Sequence, residues 1–467
     1  MKRSMNHKPI KIKKINKHRF DIYMLFTRHP KIEMHTEELE HYSNEDDSIL
    51  GLILFDYIDM DYNYLLMCRD ENKQFRPFEV KVSYPNIEKV REILISKIRW
   101  HTLNNLKIVN QKLPKQGVDL FNILVEDNKL HPYFVKLRNH DQFLSSKRTI
   151  IEIGNHLDDI DGNFIEQFQT LNGFDSRIWE LYLFASLIEQ KFRVLREYDR
   201  PDFIVEKNGV QIGIEAVIVS RRKENSPSSF IIKEQKTEAQ LNSELENDMP
   251  LRFGSTLFSK VSKKYWELQY LKDKPLLIAI ADFHDDLSMT WSFTALLDYL
   301  YGKKHVLEID KSGNQLEKIY DIEDYVKSNG QKIPAGFFFQ EGIGNENISG
   351  VLFTACGTIG KFTRMGIQAK FGIENQSVLR IGTKYDHNDR AFIPAPFCYT
   401  VDENATETWS EGLNLFHNPN ALNKIDKELF PEIAHHEFID GRIISYIPDF
   451  HPYSSININI KSVDAVK

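Results

Sequence analysis

The chain has 467 residues, of which 41% are hydrophobic and 27% charged; at roughly 100–200 residues per unit two to four folding units are expected, with ample material for a core. The three cysteines, Cys68, Cys356 and Cys398, are too few and too far apart for a disulfide framework or a cysteine zinc site, which fits a reducing, cytoplasmic setting. No apolar run reaches the about 18 residues of a membrane span, the N-terminus lacks the apolar core of a secretory signal, and a net charge of −7 confines any nucleic-acid surface to a local patch.

Residues 1–20 carry Lys2, Arg3, Lys8, Lys11, Lys13, Lys14, Lys17 and Arg19 and no acid. They read as a basic arm for phosphates, with a solvated terminus as the plainer alternative. Residues 21–165 read as an α+β unit. Ile49–Ile58 and Tyr62–Cys68 look like strands, Phe78, Val80 and Val82 alternate like a third, and Val90, Ile93, Leu94 and Ile98 have helical spacing. The acidic, polar stretch 155–173 marks a boundary. Residues 166–300 then follow a helix, hairpin, helix, strand pattern, and 301–467 form a mixed, β-rich region. Arg221–Pro250 reads as a long exposed insertion.

A helix is expected over Asp175–Gln190, with Asp175 or Ser176 as N-cap. Ile178, Trp179, Leu181, Tyr182, Leu183, Phe184, Leu187 and Ile188 make it apolar nearly all round. Glu180 is the lone charge among them. A buried carboxylate is costly unless it is paired, protonated or on a metal; a salt bridge to a neighbouring base is the plainer expectation.

Asn208-Gly209 lies between two strand-like runs, the strongest short signal for a two-residue hairpin. Such a turn fixes the register. Lys207 faces Val210, Val205 faces Ile212, Phe203 faces Ile214, and Asp202 faces Glu215. Opposed Cβ atoms lie roughly 5 Å apart, so two like charges there call for a proton or a cation. Oxygen ligands suit Mg²⁺, Mn²⁺ or Ca²⁺. Gly213 beside the pair leaves room for a substrate backbone.

Glu180 on a helix, Pro201-Asp202, and Glu215 on the next strand together resemble the PD-(D/E)XK nuclease superfamily, over roughly residues 170–285. The resemblance implies a restriction-endonuclease-like mixed sheet flanked by helices, within an α/β chain that is α+β overall. It implies Mg²⁺ or Mn²⁺ on Asp202 and Glu215, assisted by Glu180, and a lysine that orients the attacking water. The chain departs from the pattern at Val217, where that lysine belongs. Lysines of this superfamily also occur on the following helix, and Lys260 and Lys264 stand there, flanking the stripe Leu257, Val261, Tyr265 and Leu268. The implied activity is hydrolysis of phosphodiester bonds in nucleic acid, DNA foremost, and the implied setting is defence against foreign DNA. Without a working lysine, the same scaffold would be an inactive nucleic-acid or protein interaction module. A homo-oligomer is left open, and no membrane partner is expected.

Weaker signals remain. Asp282 and His284 end the apolar run Leu276–Ala281 and are expected to support the site. His435, His436 and His451 have poor zinc spacing. Lys361, Arg364 and Lys370 read as phosphate contacts or solvated surface.

Overall fold

The computed structural model describes residues 10–104, 119–157, 162–221, 236–309, 315–374, 376–388, 391 and 393–460. The N-terminal part is an antiparallel meander. Strand β1 (Ile12–Ile15) leads into helix α1 (Lys17–Tyr23), whose N-cap Asn16 accepts from the Arg19 N–H. Helix α2 (Pro30–His35) precedes β2 (Thr36–Asn44), β3 (Ile49–Asp56), β4 (Asp61–Arg69) and β5 (Phe75–Tyr84), and β1 to β5 pair in sequence order. Helix α3 (Ile87–Leu103) lays Val90, Leu94 and Ile98 across this sheet. Gly51 lets it lie close, since a Cβ there would meet methyls of Leu94 and Ile98 at 2.9 Å. The three expected strands and the helix are present; β1 and β2 were not expected.

The arm reading is corrected for Lys13, Lys14, Lys17 and Arg19, while Lys11 is exposed as expected. Lys13 pairs with Asp47 at 2.9 Å, Lys14 with Glu40 at 3.0 Å and Lys17 with Asp21 at 3.1 Å, while Arg19 also grips Asp47. These cations sit in β1 and α1, held by local acids. Lys2, Arg3 and Lys8 lie outside the described residues.

Helices α4 (Pro132–Asn139), α5 (Leu144–Gly154) and α6 (Phe164–Gln169) leave the meander. Their Phe134, Ile150, Ile153 and Phe168 join the core beneath α7 (Phe174–Glu189). These helices therefore pack with α7 across the expected boundary at 165. Helix α7 starts from Gly173 with no side-chain cap, not from Asp175 or Ser176.

From there the chain forms β6 (Arg193–Leu195), β7 (Phe203–Lys207), β8 (Val210–Val219), α8 (Glu238–Ser243), α9 (Met249–Val261), β9 (Leu276–Asp282) and α10 (Phe293–Tyr301). Two small hairpins follow, β10 (Lys303–Ile309) with β11 (Gln315–Asp321) and β12 (Asp324–Val326) with β13 (Lys332–Pro334). Next come β14 (Gly350–Thr354), α11 (Ile359–Gln368), β15 (Ser377–Lys384), β16 (Ala395–Val401), β17 (Leu413–His417), β18 (Ala434–Ile439), β19 (Arg442–Tyr446) and β20 (Pro452–Ile460). Strands β16, β15 and β20 make a separate three-stranded sheet.

The central sheet has eight strands in the order β19-β18-β17-β14-β9-β8-β7-β6. It is mixed: β8, β9 and β14 run parallel, whereas β6–β7, β7–β8 and β14–β17 are antiparallel pairs. The expected boundary at 300 is overturned, because four of these eight strands come from later in the chain. Strand alternation gives each face its own core. Ile212, Ile214, Leu277, Ala279, Leu352 and Leu415 pack towards α7. Ile278, Ile280, Val351, Phe353 and Phe416 pack towards α9 and α10. Trp179 of α7 is pinned to the sheet by Nε1–H donating to the Ala279 carbonyl at 3.0 Å. The chain is an α+β protein, and no helix among the described residues is long and apolar enough to cross a membrane.

Candidate active site

The hairpin is the most local part of the site. Asn208 and Gly209 take φ of 53° and 79°, the left-handed pair that a two-residue turn requires. Phe203 then faces Ile214, Ile204 faces Gly213, Val205 faces Ile212 and Lys207 faces Val210, the register expected. Asp202 lies one residue beyond this ladder. Its Oδ2 accepts from the Ala216 N–H at 2.8 Å, so the side chain takes the place of a backbone partner. Ile214 and Ala216 belong to the α7-side core, so Glu215 between them faces α9. Asp202 and Glu215 line one recess of about 370 Å³ together with Asp199, Arg200, Lys263, Tyr265 and Leu268.

Helix α9 supplies the cation for Glu215. Met249, Phe253, Leu257 and Val261 bury one stripe, and Gly254 allows close contact with Tyr299 of α10. That orientation sends Lys260 along the sheet, and its Nζ donates to Glu215 Oε1 at 2.5 Å. The helix ends at Val261. Lys264 then adopts φ of 53° and turns the chain, so the Tyr265 hydroxyl comes back to donate to the same Oε1 at 3.0 Å. Lys264 itself points to solvent, 3.5 Å from Glu267. Of the two expected lysines, only Lys260 reaches the acids. Tyr265 was read from sequence as part of an apolar stripe, and its polar role depends on a turn that the stripe does not encode.

Glu180 arrives from the other side of the sheet. It shares a second recess, of about 110 Å³, with Asp202, Arg177, Phe184, Tyr198 and Phe203. Its Oε2 accepts from Arg177 Nη1 at 2.6 Å, the local salt bridge that the sequence also allowed. Asp202 thus lies between two adjoining recesses, one reaching Glu215 and the other Glu180.

The electrostatics follow from this crowding. Asp202 keeps a side open to solvent, yet it sits low in a concave surface dense with protein atoms. That desolvation, then the negative fields of Glu215 and Glu180, push its carboxyl well above the usual range; the Ala216 N–H and Lys260 only partly oppose them. Burial also raises Glu180, with Arg177 opposing and Glu215 adding to the rise. Burial and then Glu215 raise the Tyr265 phenol, which stays protonated and able to donate.

Among the described residues, one oxygen of each acid has no hydrogen-bond partner: Asp202 Oδ1, Glu215 Oε2 and Glu180 Oε1. Hard oxygen donors under mutual repulsion suit a divalent cation. No three acidic, histidine or cysteine groups converge into a ready ion cage among the described residues. The fit is therefore to Asp202 and Glu215 as the primary pair, with Glu180 held at a distance on the opposite face.

Several expected features lie elsewhere. A Cβ on Gly213 would meet Leu271 at 3.0 Å and Leu276 at 3.1 Å, so packing fills the space expected for a substrate backbone. Asp282 binds His284 Nδ1 at 2.7 Å and lines a different cavity, of about 300 Å³, with Arg221 and Asp286. It does not support the Asp202–Glu215 recess. His436 and His451 both hydrogen-bond Asn414 Oδ1 at 3.0 Å, and His435 contacts His417 at 2.9 Å. Burial pushes His417 and His451 down to about 4, which fits neutral rings inside the core. Lys361 and Arg364 are buried on Glu407 at 2.6 and 2.7 Å, beside Arg380 and Glu411. Burial works against charge on Glu407, and Arg364, Lys361 and Arg380 more than offset it, holding the carboxyl far below its usual range. Neither cation is a surface phosphate contact; Lys370 is exposed and paired with Glu403. Comparison with protein-family models, with characterised proteins and with solved structures finds no match to this chain.

Proposed function

We propose that this chain is a divalent-metal-dependent nuclease of the PD-(D/E)XK kind, with Asp202 and Glu215 as metal ligands and Lys260 in the role of the missing motif lysine. The observation that carries the reading is the Lys260 Nζ at 2.5 Å from Glu215 Oε1, on the face that Asp202 shares. The helix after the hairpin delivers to this carboxylate the charge that Val217 lacks. A mixed sheet with helices on both faces supports the same reading.

Mg²⁺ or Mn²⁺, when bound, would lower the pKa of a bound water and offset charge on the scissile phosphate. The chain's own residues do the rest. Asp202 and Glu215 offer one free oxygen each. The Ala216 N–H fixes the Asp202 rotamer, and Tyr265 fixes that of Glu215. Lys260 supplies a positive charge for the attacking water or the developing oxyanion. Lys263 is an exposed cation lining the recess and would attract a phosphate chain, whereas Arg200 beside it is paired with Asp199 at 3.2 Å. DNA is the substrate proposed, and defence against foreign DNA the role.

The test is cleavage of supercoiled, linear and single-stranded DNA, and of RNA, with Mg²⁺, Mn²⁺ or EDTA. Divalent-dependent scission of DNA supports the reading, and none on any substrate refutes it. One observation favours a second reading. Lys260 and Arg177 already neutralise two of the three acids, as an inactive binding module without metal would require. Failure to bind Mn²⁺, with nucleic-acid binding intact, selects that module.

A further inference from the structure

Arg177 was not singled out from sequence, yet it is the group that governs where Glu180 can go. It stands three residues before Glu180 on α7, so the two side chains share one face. The guanidinium is anchored at both ends. Nη1 donates to Glu180 Oε2 at 2.6 Å; Nη2 donates to Gln167 Oε1 and lies 3.5 Å from Asn163 Oδ1. The cation also rests over the Phe164 ring, 4.8 Å from its centroid. The side chains of Arg177 and Glu180 are 14% and 15% exposed, so this pair is shielded from salt and water. An arginine here cannot be released by losing its proton. Only a competing charge or a moved anchor frees Glu180.

We propose that Arg177 is a latch: it holds Glu180 back from the Asp202–Glu215 pair, and a divalent cation must compete with it for that carboxylate. This rests on the cation site of the nuclease reading and adds its regulation. Arg177 is a positioning residue, since it acts through Glu180. Two structural facts bear on the latch. Glu180 lines the recess that contains Asp202, so the two acids are close neighbours. Yet the three carboxylates do not converge into an ion cage as they stand. Among the described residues, the side-chain bond that holds Glu180 in its place is the one from Arg177 to Oε2. A dication held by Asp202 and Glu215 would attract Glu180 more strongly than a delocalised single charge does, and it would repel the guanidinium. The cost of breaking the charge-assisted bond is then subtracted from cation affinity. The site thus has a built-in threshold of divalent concentration.

The experiment is a Mn²⁺ titration of the full chain by calorimetry, with melting temperature as a control of folding, for wild type, Arg177→Gln, Glu180→Gln and the double variant. Arg177→Gln is expected to bind Mn²⁺ about tenfold more tightly than wild type, the size of one charge-assisted bond. Adding Glu180→Gln should abolish that gain. Equal or weaker binding by folded Arg177→Gln overturns the latch, and so does a gain that survives in the double variant. Wild type provides a readout free of substitution, through phenylglyoxal labelling mapped by mass spectrometry. Mn²⁺ should raise modification of Arg177 severalfold, and unchanged labelling rejects its release. Absence of Mn²⁺ binding in wild type and Arg177→Gln alike would remove the cation site and the latch together. Binding that is indifferent to Arg177 would remove the latch alone.

Discussion

Lys260 and Glu215 are 45 residues apart in sequence and 2.5 Å apart in space, joined across the gap between α9 and β8. This contact converts a hairpin with two repelling acids into a site with an orderly charge balance. Replacing Lys260 with Ala should lower turnover about 100-fold with little change in DNA affinity, as expected for a group acting mainly in the transition state. Lys264→Ala should leave both unchanged, because Lys264 faces solvent. Single-turnover cleavage and filter binding on the three proteins check this; equal loss in both variants would contradict it.

Asp202→Asn and Glu215→Gln should each cost at least about 100-fold in divalent-dependent cleavage. Asp202→Asn should also raise the melting temperature without metal at pH 8, because it removes a charge that its surroundings oppose. Wild-type activity in either variant, or a lower melting temperature for Asp202→Asn, would count against the assignment.

Glu189, at the end of α7, accepts from the N–H and hydroxyl of Ser410 at 2.9 and 3.1 Å. Burial nevertheless pushes its carboxyl up to about 7 from an ordinary 4.5, against the pull of these bonds and of Lys361. The folded chain then holds this proton more tightly than the unfolded one. The group costs nothing below its unfolded pKa, and stability is lost as pH rises from there through about 7. Glu189→Gln should therefore match wild type near pH 4.5 and be more stable at pH 8. Urea denaturation across this range measures the difference, and parallel curves would refute it.

Glu407 is the anion for Lys361, Arg364 and Arg380, all buried. Glu407→Ala should destabilise the fold by about 3–5 kcal/mol, since it leaves cations uncompensated in the interior. The read-out is the chemical denaturation midpoint; a change under about 1 kcal/mol would mean that the network is wet.

Within the N-terminal segment, Arg19→Ala should cost about 3 kcal/mol, because Arg19 binds Asp47 and stacks 4.9 Å above the Phe371 ring. Lys14→Ala should cost under about 1 kcal/mol, its side chain being 59% exposed. Neither should alter the salt slope of DNA binding as a free basic arm would. A slope that falls on removing Lys14 would restore the arm.

Legibility in the sequence tracked locality. Asn208-Gly209 fixed the hairpin because left-handed φ is a property of two adjacent residues. The α7 stripe was readable because helical period and apolar content agree. Arg177–Glu180 was readable in principle, since a base three residues from an acid on a helix is a standing signal. Lys260 was legible only as one of two candidates, because the choice depends on how α9 rolls against the sheet. Tyr265 depended on the turn at Lys264, and Lys361 and Arg364 on Glu407 more than 40 residues away. The domain limits failed for the same reason: pairing between β9 and β14 is a long-range fact with no mark in either segment.

That pairing has a consequence for synthesis. All seven residues of β9 are buried in the finished sheet, with β8 on one side and β14 on the other. On the ribosome, β9 emerges long before β14, and in that interval it is an apolar strand with one open edge. A version stopped at residue 300 would keep that edge permanently and should be recovered as aggregate. Strand β9, which flanks the strand that carries Glu215, therefore gains its second neighbour only once Gly350–Thr354 has been made.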